Sequence, residues 1–367
     1  MKHTSRRSFL QWAAGAAAAF GLSDAISPRA SAAALNRSVV CIYLVGGNDS
    51  NNMIVPLDSP AYDGYARGRG SLALAKDALL PIASQSANYG FHPNLPGLQE
   101  LYKENALAVV ANVGRVCADH AITCDSFDHT REMQVGYLPN AYLTIPWAVS
   151  GTTPLPALCL PHNVTLAAAD ADAARNRSLV RSIGASPMPD SLAATALGRQ
   201  LTTVLAALKI GGVQQPAFLV PFPGFETNRD QLNAQAALFA ELDSAVVAFY
   251  RALGDLGMAD LVTIYTDTEF NRTLVPNQAG GTDHAWGGHQ LAIGGAVLGG
   301  QIYGQFPSMV VGGADDVAGN GTWTPSTTNA QYAATLAYWY GQIDVSGLAP
   351  YASAAGGAGS RLGFLAT

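Results

Sequence analysis

The 367-residue chain is 49% hydrophobic and 13% charged, enough apolar material for a large buried core, and its formal charge is −6. An acidic balance with no basic tract argues against nucleic acid or anionic lipid as a partner. Beyond the N-terminal leader no apolar stretch is long and glycine-free enough to cross a bilayer, so no stable membrane span is expected.

The leader reads Ser5-Arg6-Arg7-Ser8-Phe9-Leu10-Gln11, then an alanine-rich apolar run from Trp12 to Leu22, Pro28 and the small residues Ala30-Ser31-Ala32. A basic head, a short apolar middle and an A-x-A end define a removable signal, residues 1–32. The paired arginines point to the twin-arginine translocase, with signal peptidase as the second partner and a periplasmic or secreted destination. Cleavage is expected after Ala32, with Ala34 the alternative. The translocase carries folded cargo, which favours a metal or cofactor fitted before export. Removing residues 1–32 takes away four basic residues (Lys2, Arg6, Arg7, Arg29) and Asp24, leaving 16 basic and 25 acidic residues and a formal charge of −9.

Strand-like and helix-like patterns alternate along the rest. Ser38–Val45 is a continuous apolar run stopped by Gly46-Gly47, as suits a parallel strand covered on both faces. Similar runs recur at 107–113, 217–221, 261–266, 291–297 and 309–312. Residues 94–104 carry leucines at 95, 98 and 101. Residues 229–256 place Leu232, Ala236, Phe239, Leu242, Val246, Phe249 and Leu253 on one side of a helix. Another helix is expected over 331–340. The alternation predicts an α/β fold, a mostly parallel sheet sandwiched between helices, as one domain over 36–367. Residues 137–215, rich in proline and alanine and poor in strand pattern, read as a less regular insertion or lid.

In such a sheet ligands bind outside the carboxyl ends of the strands, so the chemistry is sought there. The first run ends in Gly46-Gly47-Asn48-Asp49, and Asp49 reads either as a metal ligand or as a turn residue. The second is followed by His120 through His129, the densest polar cluster in the chain, where Ser126 is either a helix cap or a nucleophile flanked by Asp125 and Asp128. Glu226 and Asp230 open the long helix, where capping competes with metal binding. Asp267 and Glu269 follow the 261–266 run, with Arg272 near enough for an anionic substrate. Asp283, His284 and His289 lie in a glycine-rich loop. Imidazole with carboxylates at successive strand ends is a ligand set for zinc, manganese or iron. Esterase, zincin, nucleotide-hydrolase and dinucleotide motifs are all absent. Of the four cysteines, Cys117 and Cys124 make the plausible disulfide, and Cys41 reads as a buried thiol.

The segments VCIYLVGGNDSNNMIVP, FHPNLPGLQELYKENALAVVANVG, DLVTIYTDTEFNRT, GGTDHAWGGHQLAIGGAVLGGQIYG and QYAATLAYWYG, with the twin-arginine start, resemble the bacterial family called domain of unknown function 1501. That family is grouped with the alkaline phosphatase-like superfamily. The resemblance implies a metal-binding Asp at Asp49, a nucleophile at Ser126 after Asp125, an acid near Glu226 and Asp230, and an Asp-His pair on Asp267 and Thr268. It places the last histidine at His284, or His289. Two imidazoles of the pattern are missing here, at Asn228 and Thr268, which shifts metal preference toward oxygen-loving ions such as calcium or magnesium.

Two functional expectations result. The first is an exported metal-dependent hydrolase of phosphate or sulfate esters, acting on an anionic small-molecule or polymer substrate. Ser126 would attack, Asp49, Asp267 and His284 would hold the metal, and Arg272 or His289 would steady the developing charge. Asp125, Glu226, Asp230 and Glu269 are further candidate metal ligands. The second is a non-catalytic binding or assembly protein of the envelope that retains the fold.

Overall fold

The computed structural model describes residues 37–84, 87–114, 157–159, 162, 164–167, 181–182, 192, 194–211, 216–341 and 361–366. The first apolar run is strand β1, Ser38–Val45, with the bounds the sequence predicts. Val40, Ile42 and Leu44 face one buried side, and Val39, Cys41 and Tyr43 the other. Helices cover both sides, which is why the run has no polar gaps.

Past β1 the chain makes the one-turn helix α1 (Ser50–Met53), strand β2 (Ile54–Pro56) and helix α2 (Ala61–Arg69). Strands β3 (Leu80–Ala83) and β4 (Asn88–Phe91) join β2 in a small antiparallel sheet ordered β2-β4-β3. Helix α3 (Pro96–Lys103) buries Leu98 and Leu101, with Leu95 just ahead of it, then leads into β5 (Leu107–Gly114). The stretch read as an insertion contributes β6 (Ala157–Cys159) and β7 (Thr165–Ala167) to the main sheet. It also contributes helix α4 (Ala196–Ile210), whose Leu197, Leu201 and Val204 join the main core. Next come β8 (Ala217–Pro223), α5 (Gln231–Asp255) and β9 (Val262–Asp267). A short hairpin of β10 (Asn271–Arg272) and β11 (His284–Ala285) precedes β12 (Gly288–Ile293). Strands β13 (Gln301–Tyr303) and β14 (Thr327–Thr328) and helix α6 (Asn329–Gly341) follow.

The main sheet runs β13-β5-β12-β9-β1-β8-β7-β6, with β14 beside β5. β1 is parallel to both its neighbours, β8 and β9. The sheet is nonetheless mixed, because β12 runs antiparallel between β9 and β5, and β7 antiparallel beside β8. Parallel neighbours need a long crossover, usually a helix. Only the β10–β11 hairpin separates β9 from β12, so β12 turns back along β9. One face packs on α3, α4 and α5 through side chains such as Leu98, Leu201, Phe239 and Phe249. The other packs on α6 through Tyr332, Leu336 and Trp339, together with Phe364 and Leu365. The fold is therefore α/β, with a mostly parallel mixed sheet between helical layers.

Two strand expectations are corrected. The run at 291–297 is strand only to Ile293, where Gly294 and Gly295 end it. The run at 309–312 is a turn: Met309 has φ 60° and is the one residue of it buried, while Val310 and Val311 are 46% and 37% exposed. An apolar run signals burial only when its residues alternate into a layer, and here the chain turns after one anchor. The place beside β5 goes to Gln301–Tyr303 instead. Among the described residues no helix is long and apolar enough to cross a membrane. Cys41 is a buried free thiol, and burial pushes its pKa well above the usual value.

Candidate functional site at the carboxyl edge of the sheet

Strands β1, β8 and β9 are parallel and end together, and β12 begins at the same edge. Their loops therefore bring Gly46–Asp49, Gly224–Thr227, Asp267–Arg272 and Gly287–His289 to one rim. Gly46 has φ 113° and Gly47 φ 83°, where L side chains are strained. A Cβ on Gly46 would lie 2.4 Å from the Glu226 nitrogen, and one on Gly47 1.9 Å from the Phe270 ring. The two N–H groups freed by this turn converge on Glu269 Oε2, at 2.9 and 3.1 Å. Burial pushes Glu269 up to about 6, while these backbone donors pull it down. A nest of this kind holds an anion. Here the anion is the chain's own carboxylate.

Asp49 caps α1, its Oδ1 accepting from the Asn51 N–H at 3.0 Å. Both its oxygens also accept from Arg69 Nη2 at 2.6 Å, in a pair with no side-chain exposure. Gln231 Nε2 donates to Asp49 Oδ2, and Gln235 Nε2 donates to the Asp49 carbonyl at 2.7 Å. These glutamines explain a departure from the helix reading. In the first turns of α5 the buried positions are Gln231 and Gln235, while Leu232 and Ala236 are half-buried. The amide Gln231 is fixed in turn by Thr282 Oγ1, which donates to its Oε1 at 2.5 Å.

Arg272 is fully buried, and each of its nitrogens donates to the main chain. Nε reaches Gly47 O at 2.8 Å and Phe225 O at 3.1 Å, Nη1 reaches Thr282 O at 2.7 Å, and Nη2 reaches Gly46 O at 2.6 Å. The guanidinium thus ties three rim loops together and has no nitrogen left uncommitted. Asn271 does similar work beside it. Its Oδ1 accepts from both the Ser50 N–H and the Ser50 hydroxyl at 3.0 Å, and its Nδ2 donates to Gly287 O at 2.9 Å.

The other expected residues point in different directions. Asp267 lies on the α6 side of the sheet near Cys41, Tyr265 and Tyr332, and burial raises its pKa well above the carboxylate range. Its Oδ1 accepts from the Thr268 N–H at 2.8 Å, and its Oδ2 has no hydrogen-bond partner among the described residues. His289 is 1% exposed and stacks on Phe306 with centroids 4.0 Å apart. Its Nδ1 accepts from the Asn112 N–H at 3.0 Å, which puts the proton on Nε2, and burial lowers its pKa to about 3. His284 stacks on Phe270 at 3.7 Å and meets the exposed Glu226 at 3.4 Å. Asp230 is exposed, holds φ 44° ahead of α5 and accepts from Asn233 Nδ2 at 2.9 Å. Asp125 and Ser126, the Cys117–Cys124 pair and the leader with its cleavage point lie outside the described residues.

Among the described residues the loop ends after β1, β8 and β9 and the one before β12 share an edge, but their ionisable side chains part company. Among the described residues no three His, Cys, Asp or Glu side chains group as a metal set. Residues that the sequence reading did not single out, Arg69, Gln231, Gln235 and Asn271, hold the rim instead. A signal for them existed in the amide-rich Asn48–Asn52 after the first strand, since buried amides require partners.

Residues 180–318 match the model of a family described as protein of unknown function, DUF1501. The match supports a place in the DUF1501 family and takes in the rim residues Glu226 to His289. No curated protein matches the chain.

Proposed function

We propose that this is an exported, non-hydrolytic protein of the cell envelope that keeps an alkaline phosphatase-like scaffold and works by binding or assembly. The observation that carries the reading is the closure of Asp49. Where the resemblance would put a first metal ligand, both carboxylate oxygens are held by Arg69 and the pair is sealed from solvent. The residues present do not fit a metal there: the Arg69 guanidinium, the Gln231 amide and the Asn51 N–H already take the Asp49 oxygens, and Asp267, the next expected ligand, lies on the α6 side of the sheet. Glu269 closing the Gly46–Gly47 nest removes an anion-binding feature of the same rim. The twin-arginine leader supports export to the periplasm, with the translocase and signal peptidase as transient partners.

The test is turnover of an aryl phosphate and an aryl sulfate by the purified exported protein, with elemental analysis of the same sample. No turnover and less than stoichiometric zinc, manganese, calcium or magnesium is the expected result. Turnover that is lost in Ser126→Ala, with the variant still folded, would reject the reading. It would favour instead a metal-dependent hydrolase of phosphate or sulfate esters. The observation on that side is the solvent-facing Glu226–His284 pair, the one acid–imidazole contact at the rim among the described residues.

A further inference from the structure

The Arg69 guanidinium donates to five oxygens. Nη2 lies 2.6 Å from both Asp49 oxygens, Nε 2.9 Å from Asn52 Oδ1, and Nη1 3.1 Å from the carbonyls of Thr273 and Leu274. One carboxylate, one side-chain amide oxygen and two main-chain carbonyls are the donor types that hard divalent cations take, calcium above all. The oxygens are held by the fold as well as by the arginine. Tyr65 Oη donates to Asn52 Oδ1 at 2.9 Å, Gln231 and the Asn51 N–H hold Asp49, and Leu274 N–H is bonded to Gly321 O at 3.2 Å.

We propose that these five oxygens form a cation site for which Arg69 is a tethered, permanent occupant, so that removing the side chain creates a calcium-type site. Tethering a guanidinium from α2 supplies positive charge to this corner of the fold without any metal. It also splits one positive charge over three directions, meeting oxygens that a single ion would draw together. The site differs from an ordinary surface ion pair in that Arg69 and Asp49 are both wholly buried and the arginine's remaining donors go to neutral oxygens. Nothing in it depends on whether the protein hydrolyses an ester.

The experiment compares full-length exported wild type with Arg69→Ala and Arg69→Lys, in chelator and then with calcium, manganese or methylguanidinium. Wild type should keep one melting temperature throughout. Arg69→Ala leaves Asp49 buried without its partner and should melt lower by roughly 5–15 °C. Calcium or methylguanidinium at millimolar concentration should restore at least half of that loss, because a ligand that binds only the native state raises its stability. Arg69→Lys keeps a positive charge in the cage, so it should lose less and gain little from calcium. Terbium offers a direct readout, since Tyr65 touches a cage oxygen: sensitised emission should arise in Arg69→Ala and not in wild type. If Arg69→Ala accumulates folded only when calcium is supplied, that also supports the site. The proposal is overturned if none of the cations raises the melting temperature or the folded yield of Arg69→Ala. An equal rise in wild type overturns it as well.

Discussion

Replacing Arg272 by leucine removes a guanidinium whose hydrogen bonds all end on main-chain carbonyls at the rim. Four contacts, to Gly46, Gly47, Phe225 and Thr282, run from 2.6 to 3.1 Å. A hydrogen bond to a charged group contributes about 1.5–3 kcal/mol, so four independent ones would sum to roughly 6–12 kcal/mol. They share one buried charge, whose desolvation costs several kcal/mol, and burial lowers the Arg272 pKa for that reason. The net loss expected for Arg272→Leu is therefore about 3–5 kcal/mol, near the upper end for point substitutions. Equilibrium unfolding in urea, followed by tryptophan fluorescence, measures it. Arg272→Lys, with one nitrogen in place of three, should recover less than half. A substrate-binding arginine would behave differently: its removal would leave stability nearly unchanged and act on affinity alone. If Arg272→Leu unfolds within about 1 kcal/mol of wild type, the view of Arg272 as the clamp of the rim is wrong.

The pH dependence of stability should carry the signature of Glu269. Burial holds its carboxyl at about 6 against an ordinary 4.5, so the native state binds the proton more tightly than the unfolded chain. Stability contributed by this group is then full below about pH 4.5 and falls as pH rises through 6, by roughly 2 kcal/mol in all. Glu269→Gln should lack that fall, and a wild-type-minus-variant difference that is flat from pH 4 to 7 would contradict it. Gly46→Ala should cost roughly 3 kcal/mol or more, or yield insoluble protein, because the added carbon meets the Glu226 backbone at a positive φ. Gly254→Ala provides the contrast: it lies in α5 with open space around it, and should stabilise by up to about 1 kcal/mol in the same urea assay.

The chain's local order was readable to within a residue or two in several places. Strand β1 and helix α5 were visible because an unbroken apolar run of strand length and a helix's three-to-four spacing are both properties of neighbouring residues. Strand β13 was not, since its three residues carry no period and its pairing comes entirely from β5. The antiparallel sense of β12 was also hidden, because it depends on how short the path from β9 is once folded. At the rim, the strand-end pattern implies a shared task for the acids of neighbouring loops. In the fold Asp49 belongs to Arg69, Glu269 to the Gly46–Gly47 turn, and Asp267 to the α6 side of the sheet.

Sequence alone determined that successive apolar strands would end in polar, glycine-rich loops, and hence that those loops would share one edge of a sheet. Tertiary structure decided which charge each loop neutralises. Asp49 takes partners 20 and 182 positions away, and both choices follow from the direction in which its side chain leaves the turn after β1. Periodicity is a short-range property of the backbone. Charge pairing in a buried rim depends on side-chain direction, which is set only when the whole sheet has closed against its helices.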